Sequence, residues 1–160
     1  MALLRDGEVV REGENWQRVD DDALPSGDVT VSFARLVKDP ALLEREGKTG
    51  VRLGPADDPT DLADLVERLD LVTVDFPKFT DGRGYSTARL LRRMGYEGEL
   101  RAVGNVLPDQ LFYMMRVGFD AFELEDGKSV DDALAAFETF SVTYQGSADD
   151  DRPLFRRVER

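Results

Sequence analysis

Residues 71–124, LVTVDFPKFTDGRGYSTARLLRRMGYEGELRAVGNVLPDQLFYMMRVGFDAFEL, constrain the fold more than any other stretch. Three apolar runs, at 71–76, 99–103 and 121–124, are separated by segments of helical period, the first opening on a Gly-rich loop and the second on Pro108. Short strands alternating with such segments require right-handed crossovers, hence a parallel sheet covered on both faces. The polar loops leaving the strands then open on one shared edge, where function is expected.

The flanking sequence extends this pattern. Residues 29–37 alternate as a strand, and Asp39-Pro40 starts a short helix closed by Gly47. Residues 50–53 form another strand. Thr60 caps a helix whose Leu62, Leu65, Val66 and Leu69 share one stripe. Gly118 ends the helix begun at Pro108, and Ser129 opens a capping box for a last helix with Val130, Ala133, Leu134, Phe137 and Phe140 on its apolar face.

About five βα units result, a mostly parallel flavodoxin-like or Rossmann-like α/β layer. With 160 residues, only a partial or dimer-completed TIM barrel competes, since the full barrel needs roughly 200 or more. Asp6-Gly7 marks an N-terminal hairpin over residues 3–10. The expected organisation is a hairpin and connector (1–27), an α/β domain (28–145) and a polar tail (146–160), either unpacked or docked through Leu154 and Phe155. The connector holds Asp20, Asp21 and Asp22, whose successive side chains diverge and read as solvated rather than metal-binding.

Composition narrows the chemistry. A net charge of −12 repels a nucleic-acid backbone. With no cysteine or histidine, the chain offers neither thiolate nor imidazole for a triad, a zinc site or a cluster. What remains is Asp, Glu, Arg, Lys and Tyr acting on oxygen, or a borrowed cofactor of unknown identity. No signal-like start and no run near about 18 apolar residues is present, so a cytoplasmic location away from membranes is expected.

The loops at 54–58, 75–86, 104–110 and 123–128 converge in such a sheet. Asp75 ends an apolar strand, and Arg52 and Arg101 lie within strand patterns where a cation needs a partner. One account pairs Asp75 with an arginine to lock the loop. The other has Arg52 and Arg101 face the crevice and hold an oxyanion, with Asp75 or Asp81 moving a proton or holding magnesium. In the loop 78–86, Lys78, Gly82, Arg83, Gly84, Tyr85 and Ser86 bring free amides, glycine flexibility and charge to a helix start, an anion seat. The alternative is a plain tight turn. The loop is neither GxGxxG nor a Walker A sequence. Asn105, after a glycine, is expected to point into the crevice.

Through FPKFTDGRGYS and ELRAVGNVLPDQL the chain resembles a bacterial family of unknown function, described as oxidoreductase-like and linked to sulfite reduction because its genes lie beside assimilatory sulfite reductase. The likeness is densest over residues 50–124 and supplies no catalytic residues. Family members often carry an aspartate and an arginine where this chain has Asn105 and Pro108. The resemblance implies sulfite reductase or its electron donor as partner. Sirohaem and iron-sulfur ligation need groups this chain lacks, which makes an accessory role the leading expectation: docking on the reductase or handling sulfite. The alternatives are a small oxyanion-handling enzyme with an Arg/Asp crevice, or a flavin- or nicotinamide-binding oxidoreductase.

Overall fold

The computed structural model describes residues 2–10, 14–20 and 23–157; Asp21, Asp22 and the last three tail residues lie outside them. β1 (Ala2–Arg5) and β2 (Glu8–Val10) form the expected hairpin. Its turn residues Asp6 and Gly7 both take positive φ, 51° and 78°, the conformation whose twist matches paired strands. β3 (Gln17–Val19) follows, then β4 (Val29–Ser32) and α1 (Phe33–Lys38). The strand expected over 29–37 therefore stops at Ser32. Phe33 and Leu36 stand three apart, a helical spacing that an alternation reading absorbs into the strand.

Pro40–Glu44 is a 3₁₀ turn after Asp39, and β5 covers Thr49–Leu53. The helix expected from Thr60 is instead two 3₁₀ turns, Pro59–Leu62 and Val66–Arg68. Asp58, not Thr60, is the cap, its carboxylate accepting from the Thr60 amide at 2.9 Å. β6 (Leu71–Phe76), α2 (Arg83–Arg93), β7 (Glu99–Gly104) and β8 (Ala121–Leu124) follow the expected pattern, whereas the helix expected from Pro108 starts as a 3₁₀ turn, Pro108–Gln110, before α3 (Leu111–Val117). Ser129 caps α4 (Val130–Phe137) by accepting from the Asp132 amide at 3.1 Å; the helix ends before Phe140, which is exposed rather than part of its buried face, and α5 is the single turn Leu154–Arg157.

The eight strands of the described residues join one sheet in the order β2-β1-β8-β7-β6-β5-β4-β3. From β3 to β8 neighbours in space are neighbours in sequence and all pair parallel. Crossovers of one hand between sequential strands stack every connection on the same side. Among the described residues there is thus no switch point of the flavodoxin or Rossmann kind, and only one face carries helices. The sheet is also larger than five βα units, because the hairpin continues it through β1, antiparallel to β8. The partial-barrel alternative describes the result: a curled half-barrel.

Chain connectivity demands the curl. Val10 and Gln17 end and begin strands on opposite edges, yet the chain between them reaches at most about 25 Å. Laid flat, eight strands would separate those edges by about 34 Å. The side-chain parity is equally strict. Val19, Val31, Val51, Val72, Leu100 and their two-residue neighbours enter the core beneath the helices, whereas Leu71 and Ala121, of opposite parity, are buried outside it. The opposite parity lines the concave face.

The tail packs differently from the expectation. Phe155 is 66% exposed, and docking runs through Arg116, which donates to Asp149 at 2.9 Å and to the Gln145 carbonyl, while its own carbonyl accepts from the Ala148 amide at 3.0 Å. No helix among the described residues is long and apolar enough to cross a membrane.

Candidate functional site

Register places Ser32, Arg52, Thr73, Arg101, Ala121 and Arg5 in one row across the concave face. Strands about 4.8 Å apart give consecutive arginines spacings near 10 Å. Small side chains fill the strands between them, because a concave surface crowds its side chains. Gly50 shows the limit: a Cβ there would lie 3.0 Å from the Leu71 Cβ and 3.2 Å from the Thr30 Cγ2.

On the β7 side the row is closed. Arg101, with 5% of its side chain exposed, donates to Glu99 (2.7 and 2.5 Å), Glu123 (3.0 Å) and Glu14 (2.7 Å). Arg5 joins through Glu14 and through Glu99 at 2.6 Å. Burial works against the Arg101 cation, but its three glutamates outweigh that and raise its proton affinity. Burial likewise pushes the Glu14 carboxyl up, and the Arg101 and Arg5 guanidiniums more than reverse it, leaving Glu14 below its ordinary value. This is an ion-pair cluster whose charges answer one another.

On the β5 side the row opens into a cleft of about 310 Å³ at the carboxyl ends of the strands, lined by Arg18, Asp20, Ser32, Arg52, Thr73 and Asp75 among others. Arg52 spends four of its donors on protein: the Thr30 carbonyl, the Thr30 hydroxyl (3.2 Å), the Val19 carbonyl (3.4 Å) and Asp20. Its Nε has no partner among the described residues. Burial, and then the neighbouring Arg18, lower its proton affinity, as expected for two neighbouring cations in a partly dry cleft. Arg18 is 73% exposed and meets Asp20 at 3.7 Å.

Asp75 pairs with neither Arg52 nor Arg101. Among the described residues no hydrogen bond or ion pair reaches its carboxylate, and partial burial raises its proton affinity, with Arg18 opposing.

The loop 78–86 belongs to the other side of the sheet. Phe76 points to the helices, where Tyr85 packs edge-on to its ring at 5.4 Å; Asp75, one residue earlier, points to the concave face. None of Lys78, Asp81, Gly82, Arg83, Gly84, Tyr85 or Ser86 lines the cleft. Within the loop, the Asp81 carboxylate accepts from the Arg83 amide (3.2 Å), Nε (3.0 Å) and terminal nitrogen (2.7 Å). Those bonds lower the Asp81 carboxyl to about 2. Lys78 and Ser86 are exposed.

Asn105 joins the rim loops, accepting from the Phe79 amide at 2.9 Å and donating to Glu125 at 3.2 Å. The loops after β6, β7 and β8 therefore do meet on one rim, but the arginine cleft is separate from them. Among the described residues no three acidic side chains are arranged to hold a metal ion.

Sequence reading missed Arg18, Ser32, Thr73, Glu14 and Arg5. Ser32 and Thr73 were within reach, since matching the apolar parity of VRL, TVD and LRA puts Arg52, Thr73 and Arg101 on one face. Arg18 and Glu14 carry no such signal, because β3 is polar and three residues long and Glu14 lies in the irregular segment before it.

Fold and site together define an α/β half-barrel whose concave face is polar, closed by ion pairs on one side and open on the other. The chain belongs to the bacterial family of proteins of unknown function DUF934, whose family model matches residues 50–155. No curated protein matches the chain.

Proposed function

We propose that the protein is an accessory factor of assimilatory sulfite reduction that takes a small oxyanion, sulfite, into the concave-face cleft beside Arg18 and Arg52. The observation that carries this reading is the pair of guanidiniums turned into one cleft at the carboxyl ends of parallel strands, with a donor of Arg52 left over. Charge-assisted donors of this kind suit an anion with several oxygens, and the location is the usual one for ligands of α/β sheets. The link to sulfite rests on the resemblance carried by FPKFTDGRGYS and ELRAVGNVLPDQL, and sulfite reductase or its donor is the partner it implies. Without cysteine or histidine, the chain's contribution is to hold or pass on the anion.

Calorimetric titration with sulfite tests the reading, comparing the wild type with an Arg18→Ala, Arg52→Met double variant. Saturable binding that weakens by about tenfold or more in the variant is expected, in keeping with the loss of charge-assisted hydrogen bonds. Absence of sulfite binding by the wild type, together with unchanged growth of a deletion strain on sulfate as sulfur source, would overturn it.

A further inference from the structure

We infer that the cleft selects an oxyanion that still carries a proton, with the Asp75 carboxylate as the acceptor that recognises it. This rests on the oxyanion reading above and adds a chemical class to it.

Asp75 and Arg52 stand on adjacent strands, two residues apart in register, because Arg52 pairs with Thr73. Both line the cleft, with Arg18 and Asp20 on the β3 side and the hydroxyls of Ser32 and Thr73 between. The two sides offer opposite chemistry. Arg18 and the Nε of Arg52 can only donate, whereas an ionised Asp75 can only accept. Asp20 is already held by Arg52 and Arg18, but Asp75 has no donor among the described residues.

An anion seated against the arginines places its far oxygens toward Asp75. A fully ionised anion there sets lone pairs against a carboxylate, a repulsive contact. A monoprotonated one donates its O–H to Asp75 while its charged oxygens keep the arginines, so all groups are satisfied. The raised proton affinity of Asp75 makes it a stronger acceptor for that hydrogen bond. Hydrogen sulfite in its O–H form and hydrogen phosphate share this chemistry near neutral pH. Sulfate, which has lost both protons, does not.

The test is titration of the whole protein at neutral pH and fixed ionic strength with sulfite, inorganic phosphate and sulfate, for the wild type and for Asp75→Asn. Sulfate is expected to bind the wild type at least about tenfold more weakly than sulfite, the scale of one lost charge-assisted hydrogen bond. Asp75→Asn replaces the acceptor with an amide that can also donate, so sulfate binding should strengthen and the preference should vanish. Asp75 is exposed at a strand end, and circular dichroism is the check that the variant folds. Equal binding of sulfate and sulfite by the wild type, or an unchanged ratio in the variant, overturns the selectivity while leaving the oxyanion reading intact. Binding of phosphate but not sulfite supports the selectivity and overturns sulfite as the ligand. Failure of all three anions to bind overturns both.

Discussion

Arg101 and Arg52 occupy the same row of the same face two strands apart, and they differ in everything that follows from their neighbours. Arg101 has a glutamate on its own strand, another on β8 and a third from the segment before β3, so each of its nitrogens donates to a carboxylate. Arg52 has one exposed aspartate and otherwise backbone carbonyls and a hydroxyl, with a second arginine nearby. A buried ion pair that is fully answered holds its elements in register and has little left for a ligand. A guanidinium held mainly by neutral acceptors keeps most of its charge available. A cation inside a strand pattern is therefore a question about partners, and the two halves of this half-barrel answer it in opposite ways.

That contrast can be broken most sharply at Arg101. Arg101→Met strands three glutamates and should cost about 3 kcal/mol, the lower end for removing one partner of a buried pair because those glutamates keep some water. Sulfite titration should remain unchanged. A urea midpoint showing a loss below about 1 kcal/mol would mean that the cluster is not closed. Arg52→Met should reverse the balance, with a loss of about 1–2 kcal/mol from freed carbonyls and weakened sulfite binding.

The pH dependence sharpens the comparison further, because the two sides carry shifts of opposite sign. Glu14 is held below its ordinary 4.5, so its stabilisation is present above that pH and is lost as pH falls through the lowered folded value. Glu14→Gln should therefore destabilise near neutral pH and lose less on acidification than the wild type. Asp75 is raised above its ordinary 3.8, so the folded state holds the extra proton and stability falls as pH rises between the two values. Asp75→Asn should remove that fall. Urea midpoints taken from about pH 3 to 6 check both directions.

The smallest effect belongs to the rim. Asp81 and Arg83 pair two residues apart with 63% of the Arg83 side chain exposed, and solvent screens such pairs. Arg83→Ala should leave both the urea midpoint and the sulfite titration within error. A clear loss of sulfite binding would move the site to the rim.

Residues 71–76 and 121–124, the Asp6-Gly7 turn, the stop at Gly118 and the cap at Ser129 could be read directly, because alternation, turn conformation and capping involve residues a few positions apart. The two 3₁₀ turns after Asp58 and the end of β4 could not, since helical and strand periods overlap over four or five residues. At 78–86 the reason is different: composition and spacing bring donors to the helix start, but the Asp81 carboxylate already accepts from those of Arg83.

The amino-acid order alone determined that parallel strands would form, that Arg52, Asp75 and Arg101 would sit within or at the ends of them, and that thiolate and imidazole chemistry was absent from the chain. Only the tertiary structure decided which arginine is spent. Glu14 lies 87 positions from Arg101 and reaches it because the strand order is sequential and the sheet curls enough for a short connection to bridge its edges. Periodicity and turn geometry are local properties, legible residue by residue. Charge neutralisation depends on which strands become neighbours, and no short window of sequence contains that.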